Sequence, residues 1–187
     1  MLKEEYGVNV PIYIEDLNEE QLIELRQLEA SQGIKCFDSN VYYFPKKLSF
    51  GDSLLSAYPV IIRRFISNGS DIYGYVSGLS LENLAGVSTQ IPRMMMITTN
   101  NENGDTRIVN VGYSKVNVKR SPTVITNENV SILQFLDLLS SISLDNLDEY
   151  EMDKLIEFKD KAGVSRELLE QYSNLYPNSI ENVGKLF

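Results

Sequence analysis

The segment Arg93-Met94-Met95-Met96-Ile97-Thr98-Thr99 is a continuous apolar run between polar flanks, and it constrains the fold more than any other stretch. A short apolar run without polar alternation reads as a strand buried on both faces, with methionine as adaptable filler. A strand of that kind needs a sheet around it and cover on both sides. Just upstream, Tyr73-Gly74-Tyr75-Val76 reads as a second buried strand, and Leu79 to Gly86 as a short helix beginning at Ser80 and closed by Gly86. Gly74, Gly78 and Gly86 are spaced too widely for a dinucleotide-binding fingerprint, and no lysine follows them as a phosphate-binding loop requires. Residues 74–100 therefore read as structural spine.

The 187 residues suffice for one domain, or one domain with a small appendage. A hydrophobic fraction of 43% and a charged fraction of 23% are ordinary for a globular chain. No stretch approaches the ~20 apolar residues that span a bilayer, and the N-terminus lacks a signal-peptide core, so no membrane partner is expected. A lone cysteine, Cys36, fits a reducing cytoplasm and cannot build a zinc site. With no histidine, neither an imidazole-assisted nucleophile nor an imidazole metal ligand is available. An enzyme of this composition would have to use carboxylates, and the acidic residues cluster at the two ends as solvated helix faces. The expectation is a protein without catalysis, metal or cofactor.

The net charge of −9 is unevenly spread. Residues 1–50 carry five Lys/Arg against nine Asp/Glu, residues 51–130 seven against six, and residues 131–187 five against eleven. Any nucleic-acid contact must rest on a local basic patch set against this field, because phosphate neutralisation supplies most of such affinity.

Along the chain, residues 10–14 read as a short extended piece. Asn18 with Gln21 makes a capping box for a helix that carries Leu22, Leu25 and Leu28 and ends near Gly33. Residues 34–37 and 41–44 then form a hairpin around Asp38-Ser39-Asn40, before Pro45. A helix followed by a hairpin is the second half of a winged helix-turn-helix: recognition helix, then wing. Only about 17 residues precede the helix, fewer than the two further helices of a complete module need. The helix bears Glu19, Glu20, Glu24 and Glu29 against the single Arg26. Lys35, Lys46 and Lys47, on or beyond the wing, are the better candidates for touching a DNA backbone, with Arg26 beside them.

From Leu48 the chain changes character. Residues 53–66 predict a helix broken at Pro59, and residues 100–105 a loop. Residues 107–111 and 115–120 predict paired strands around Gly112-Tyr113-Ser114. Alternation sends Val116 and Val118 one way and Lys115, Asn117 and Lys119 the other. With Arg93, Arg107 and Arg120, these lysines make the most basic face in the sequence. Residues 126–129 are expected to cap a helix whose inner side carries Val130, Leu133, Leu136 and Leu139. The tail adds helices at 147–161 and 165–175 and a shorter one after Pro177.

The order of these motifs, with VYYFP closing the hairpin, then SGLS, LAGVSTQIPRMMMITTN, KVNVKRSP and NVSILQFLDLLSSIS, resembles the AbiEi-type antitoxins of bacterial type IV toxin–antitoxin, abortive-infection systems. The likeness covers roughly residues 22 to 142 and is most specific at Gly78-Leu79-Ser80 and Thr89-Gln90-Ile91-Pro92. It implies a DNA-binding repressor of its own operon promoter that counters a nucleotidyltransferase-like toxin, with no direct contact required. The sequence departs from the family pattern in its short winged-helix start, its acidic recognition helix and Asn40 in the wing turn.

The expected fold is α+β. A partial winged helix, helix plus hairpin, occupies residues 1–48, and a mixed-sheet antitoxin domain with covering helices occupies 49–187. The competing functional class is a protein-interaction module with a vestigial winged helix, its acidic ends meeting a basic partner. A carboxylate-dependent enzyme stands behind both.

Overall fold

The computed structural model describes residues 2–186, and the chain forms two compact units. The first comprises the described residues up to Val60 together with Val111–Ser114. The second comprises Ile61–Asn110 and the described residues from Lys115 onward.

The first unit opens with helix α1 (Leu2–Tyr6) and strand β1 (Ile12–Tyr13), followed by a 3-10 turn at Ile14–Asp16. Helix α2 (Glu19–Ala30) begins where the sequence says it should. The Asn18 side chain accepts from the Gln21 amide at 2.9 Å, and the Gln21 side chain accepts from the Asn18 amide at 3.0 Å. The helix ends at Ala30, and Gln32 rather than Gly33 takes the left-handed backbone, at φ 57°. Gly33 donates its amide to the Leu28 carbonyl at 2.8 Å. Strands β2 (Lys35–Asp38) and β3 (Val41–Tyr43) form the expected hairpin. β1 pairs antiparallel with β3, Ile12 opposite Tyr42, so the sheet order is β1-β3-β2. Leu2, Ile12, Leu25, Ile34 and Phe44 meet in one small core. Each buried aliphatic side chain contributes on the order of 1.5–3 kcal/mol there.

A second hairpin follows, β4 (Lys47–Leu48) with β5 (Gly51–Asp52). Helix α3 (Ala57–Phe65) corrects the expected break at Pro59. The proline sits in the first turn, where its missing N–H would have had no intrahelical partner, so its ring costs the helix nothing. Residues 53–56, expected to be helical, precede it outside the helix.

In the second unit β6 (Gly74–Val76), β7 (Met95–Thr99), β8 (Thr106–Val111) and β9 (Ser114–Arg120) form a sheet of order β6-β7-β9-β8. β6 runs antiparallel to β7, and β7 parallel to β9, so the sheet is mixed. Helix α4 (Gly78–Ala85) lies between β6 and β7 in sequence. It starts two residues before the expected Ser80, because that hydroxyl does not cap the helix: it accepts from the Met96 amide at 3.0 Å. Gly78 adopts φ +53°, a backbone that favours glycine, while the end of the Met96 side chain lies 2.7 Å from where a Cβ would stand. Gly86 closes the helix in the left-handed region, as expected.

The apolar run is a strand, but it is buried in full only at Ile97, Thr98 and Thr99. Met94 precedes the strand, and Met95 and Met96 are half-buried at its start. Helix α5 (Val130–Ser141) is the central element of this unit. Its Leu133, Phe135, Leu136 and Leu139 are fully buried among Tyr75, Leu81, Leu155 and Leu169. Asn129 is its N-cap residue, as expected, but its side chain makes no cap bond. Its side chain instead closes the preceding turn, accepting from the Thr126 amide at 2.8 Å and donating to the Val124 carbonyl at 2.9 Å. Helices α6 (Glu149–Lys161), α7 (Arg166–Ser173) and α8 (Ile180–Leu186) complete the unit close to their expected places. From α8, Asn182 donates to the carbonyls of Leu139 and Ile142, at 2.7 and 3.0 Å, supplying partners at the end of α5.

Candidate functional site

In the first unit the four nominated DNA-contacting residues are all exposed. Asp52 on β5 gathers two of them: its carboxylate lies 2.7 Å from Lys47 Nζ and 3.0 Å from Lys35 Nζ. Hydrogen bonds from Lys47 and then Lys35 hold the Asp52 carboxyl below the usual aspartate range. Lys46 and Arg26 make no ion pair among the described residues. On α2, two of the four glutamates have structural work. Glu24 accepts from the Leu2 amide at 3.1 Å, and Glu29 accepts from the Tyr42 hydroxyl at 3.0 Å. Burial, with that bond to Glu29 behind it, pushes the Tyr42 phenol up to about 12.

The second unit leaves all five nominated cations exposed and engages two of them, Arg107 and Lys119, in ion pairs. Arg107 is committed to Glu102, a buried carboxylate that also accepts from the amides of Asn103 and Gly104 at 2.9 Å each. The Gly104 amide first, and then Arg107, hold Glu102 below its ordinary range. Lys119 reaches Asp137 of α5 at 3.4 Å. Arg93, Lys115 and Arg120 stay exposed. Strand alternation turns Arg120 away from Lys115 and Lys119, although Lys119 and Arg120 both line the same cleft at the end of β9.

That cleft has a volume of about 530 Å³ and is also lined by Asp105, Ser121, Leu175 and Tyr176. A polar cluster adjoins it. The hydroxyls of Tyr75 and Tyr176 lie 2.8 Å apart, both rings buried. Asp137 is 7% exposed, and burial raises its carboxyl above the aspartate range despite the opposing pull of Lys119. Burial likewise raises both tyrosines, with the charge of Asp137 adding to the effect on each. Thr98 Oγ1, Asn117 Oδ1, Ser121 Oγ and Asp137 Oδ2 are buried without a hydrogen-bond partner in the protein. Buried polar atoms are normally paired, so four orphans among residues of one region mark it out.

None of Tyr75, Thr98, Asp137 and Tyr176 was legible as a site residue. The one available signal was an aspartate inside the apolar run SILQFLDLLSS, four residues after Leu133 and therefore on the same side of the helix. Among the described residues no group of His, Cys, Asp or Glu is placed to hold a metal ion, and no helix is long and apolar enough to cross a membrane.

The architecture defines an α+β protein of two compact units, one carrying two small hairpins and the other a helix-covered mixed sheet. No protein-family profile matches this chain, and no curated protein matches it.

Proposed function

We propose that this protein is a DNA-binding antitoxin of the type IV class, a cytoplasmic repressor of its own promoter that counters a nucleotidyltransferase-like toxin without catalysis of its own. The observation that carries the DNA-binding part is the β1-β3-β2 sheet, with α2 inserted between β1 and the β2–β3 hairpin. That order supports a reduced winged helix in which α2 stands for the recognition helix and β2–β3 for the wing. Lys35 lies on the wing strand, Lys47 opens the next hairpin, and Lys46 directly precedes it. The engagement of Glu24 and Glu29 within the unit also supports the reading, since it gives the acidic helix a structural reason for two of its charges. The antitoxin part rests on the sequence resemblance, whose Gly78 and Ser80 are the residues that join α4 to β7.

One observation favours the alternative, a protein-interaction module: Asp52 already occupies two of the four nominated cations. A gel shift of the full chain on its own promoter, across a salt series, separates the two. Repression requires binding that weakens steeply with salt, because phosphate contacts release counterions. Absence of binding at low salt overturns the DNA reading and leaves the interaction module. Co-expression with a nucleotidyltransferase-like toxin tests the antitoxin part: growth must be rescued by the wild-type chain.

A further inference from the structure

We propose that the cleft at the end of β9 is a binding site for a small phosphate-bearing molecule of about mononucleotide size. The geometry starts from the sequence Lys119-Arg120-Ser121, which places two cations and a hydroxyl consecutively where the strand ends. Lys119 is about half exposed and held only by a long 3.4 Å bond to Asp137. Arg120 is exposed and has no ion pair among the described residues. Ser121 is 8% exposed and its unpartnered Oγ is shielded from solvent, so it backs the cleft and leaves Lys119 and Arg120 as the donors. The ammonium and the guanidinium give charged donors of two different reaches, the complement of an anion with several equivalent oxygens. The cleft volume of about 530 Å³ lies within the range of small-ligand sites. Leu175 offers an apolar wall and Asp105 an acceptor for the rest of the ligand.

The cluster behind the cleft explains how its donors are kept available. Asp137 is near enough to position Lys119 yet buried enough that its own charge is disfavoured, so the lysine is steered without being locked in a tight pair. Lys119 is therefore a ligand-binding residue and Asp137 a positioning one. This inference concerns the second unit alone and does not depend on DNA binding by the first.

The test uses the full chain and three probes: inorganic phosphate, adenosine 5′-monophosphate and a short single-stranded oligonucleotide. Calorimetry gives the affinity, and amide NMR shifts at Lys119, Ser121 and Leu175 give the location. The expected result is saturable binding of phosphate and, more tightly, of the mononucleotide. Arg120→Met should weaken it about tenfold, the loss of one hydrogen bond to a charged group. Lys115→Met, outside the cleft lining, should leave it unchanged. Arg120 is exposed, so Arg120→Met tests binding without threatening the fold. Three results would overturn the inference: no saturable shift with either small probe, binding insensitive to Arg120→Met, or binding of the oligonucleotide without the mononucleotide. The last would assign these cations to a nucleic-acid backbone.

Discussion

Two lysine–aspartate pairs, one in each unit, have opposite effects on their carboxylates. Lys47 and Asp52 meet at 2.7 Å on an exposed hairpin, and the aspartate is held below its ordinary range. Lys119 and Asp137 meet at 3.4 Å beside the second unit's core, and the aspartate is pushed above it. The partner is the same, so the sign is set by water. Asp52 keeps part of its hydration and gains two close ammonium groups, whereas Asp137 loses nearly all of it and gains one distant cation. Desolvation exceeds the Coulombic gain in the second case and not in the first. A surface pair of good geometry thus adjusts charge at little structural consequence, while a buried pair of poor geometry leaves a carboxylate in tension with its surroundings. Such tension is characteristic of functional sites.

The sharpest way to break this contrast is to remove the buried cation. Lys119→Met leaves Asp137 without its counter-charge and should destabilise the protein by about 2–3 kcal/mol at neutral pH, measured by urea unfolding. The low end of that figure allows for the partial exposure of Lys119. In an Asp137→Asn background the same substitution should cost little, because no carboxylate then remains to be stranded. Equal costs in the two backgrounds would show that the pair is not coupled.

The pH dependence follows with a smaller effect. Asp137 binds its proton more tightly in the folded chain than in the unfolded one. Across the window from the ordinary aspartate value of 3.8 up to its raised folded value, the native state therefore holds more protons. Stability contributed by this group is greatest below that window and falls as pH rises through it. Asp137→Asn should flatten this limb of a plot of melting temperature against pH. Glu102, held low, acts in the opposite sense: its contribution is present above the ordinary glutamate value and is lost as pH falls. An Asp137→Asn profile that superimposes on the wild-type curve would count against the assignment.

The contrast also explains what the sequence could and could not disclose. Local signals are written in neighbouring residues. Asn18 and Gln21 spell a capping box, Gly86 a helix end, and the β2–β3 and β8–β9 hairpins and the tail helices follow from local spacing, whereas the β4–β5 hairpin was not expected. Pro59 misled because its effect depends on its position within a helix whose start the sequence does not mark. The basic face was legible only in part, for a deeper reason. Alternation correctly sends Lys119 away from Val116 and Val118, yet it cannot say that α5 covers that side of the strand with Asp137. Thr98 is paired with Lys119 across β7 and β9, and Tyr75 meets Tyr176 over 101 residues of chain. Contacts of that separation belong to topology, and no periodicity records them.

At the exposed pair the expected effects concern binding more than stability. Lys35→Met with Lys47→Met should leave the unfolding midpoint nearly unchanged, as exposed pairs contribute little. If the wing contacts promoter DNA, the same double change should reduce the slope of log affinity against log salt by about 1–2. An unchanged slope would remove these lysines from the interface while leaving Arg26 and Lys46 to be tested.

The smallest expected effect is that of Asp52→Asn, and it separates the two readings of the first unit. Its carboxylate is partly exposed and its partner Lys47 almost wholly so, and its loss should shift the unfolding midpoint little at neutral pH. The charge balance changes more than the fold does. Asp52 partly neutralises Lys35 and Lys47, and the amide would leave both as full cations on the same strands. For a DNA-binding wing, affinity should rise slightly for specific and non-specific DNA alike, with a salt slope steeper by at most about 1. For a protein-interaction module, promoter DNA should remain unbound in both forms. A fall in affinity on Asp52→Asn would mean that the carboxylate positions the two lysines for contact, making the ion pair part of the interface and not a competitor with it. Gel shifts of wild type and variant at matched salt distinguish these outcomes, because unchanged stability excludes unfolding as the cause.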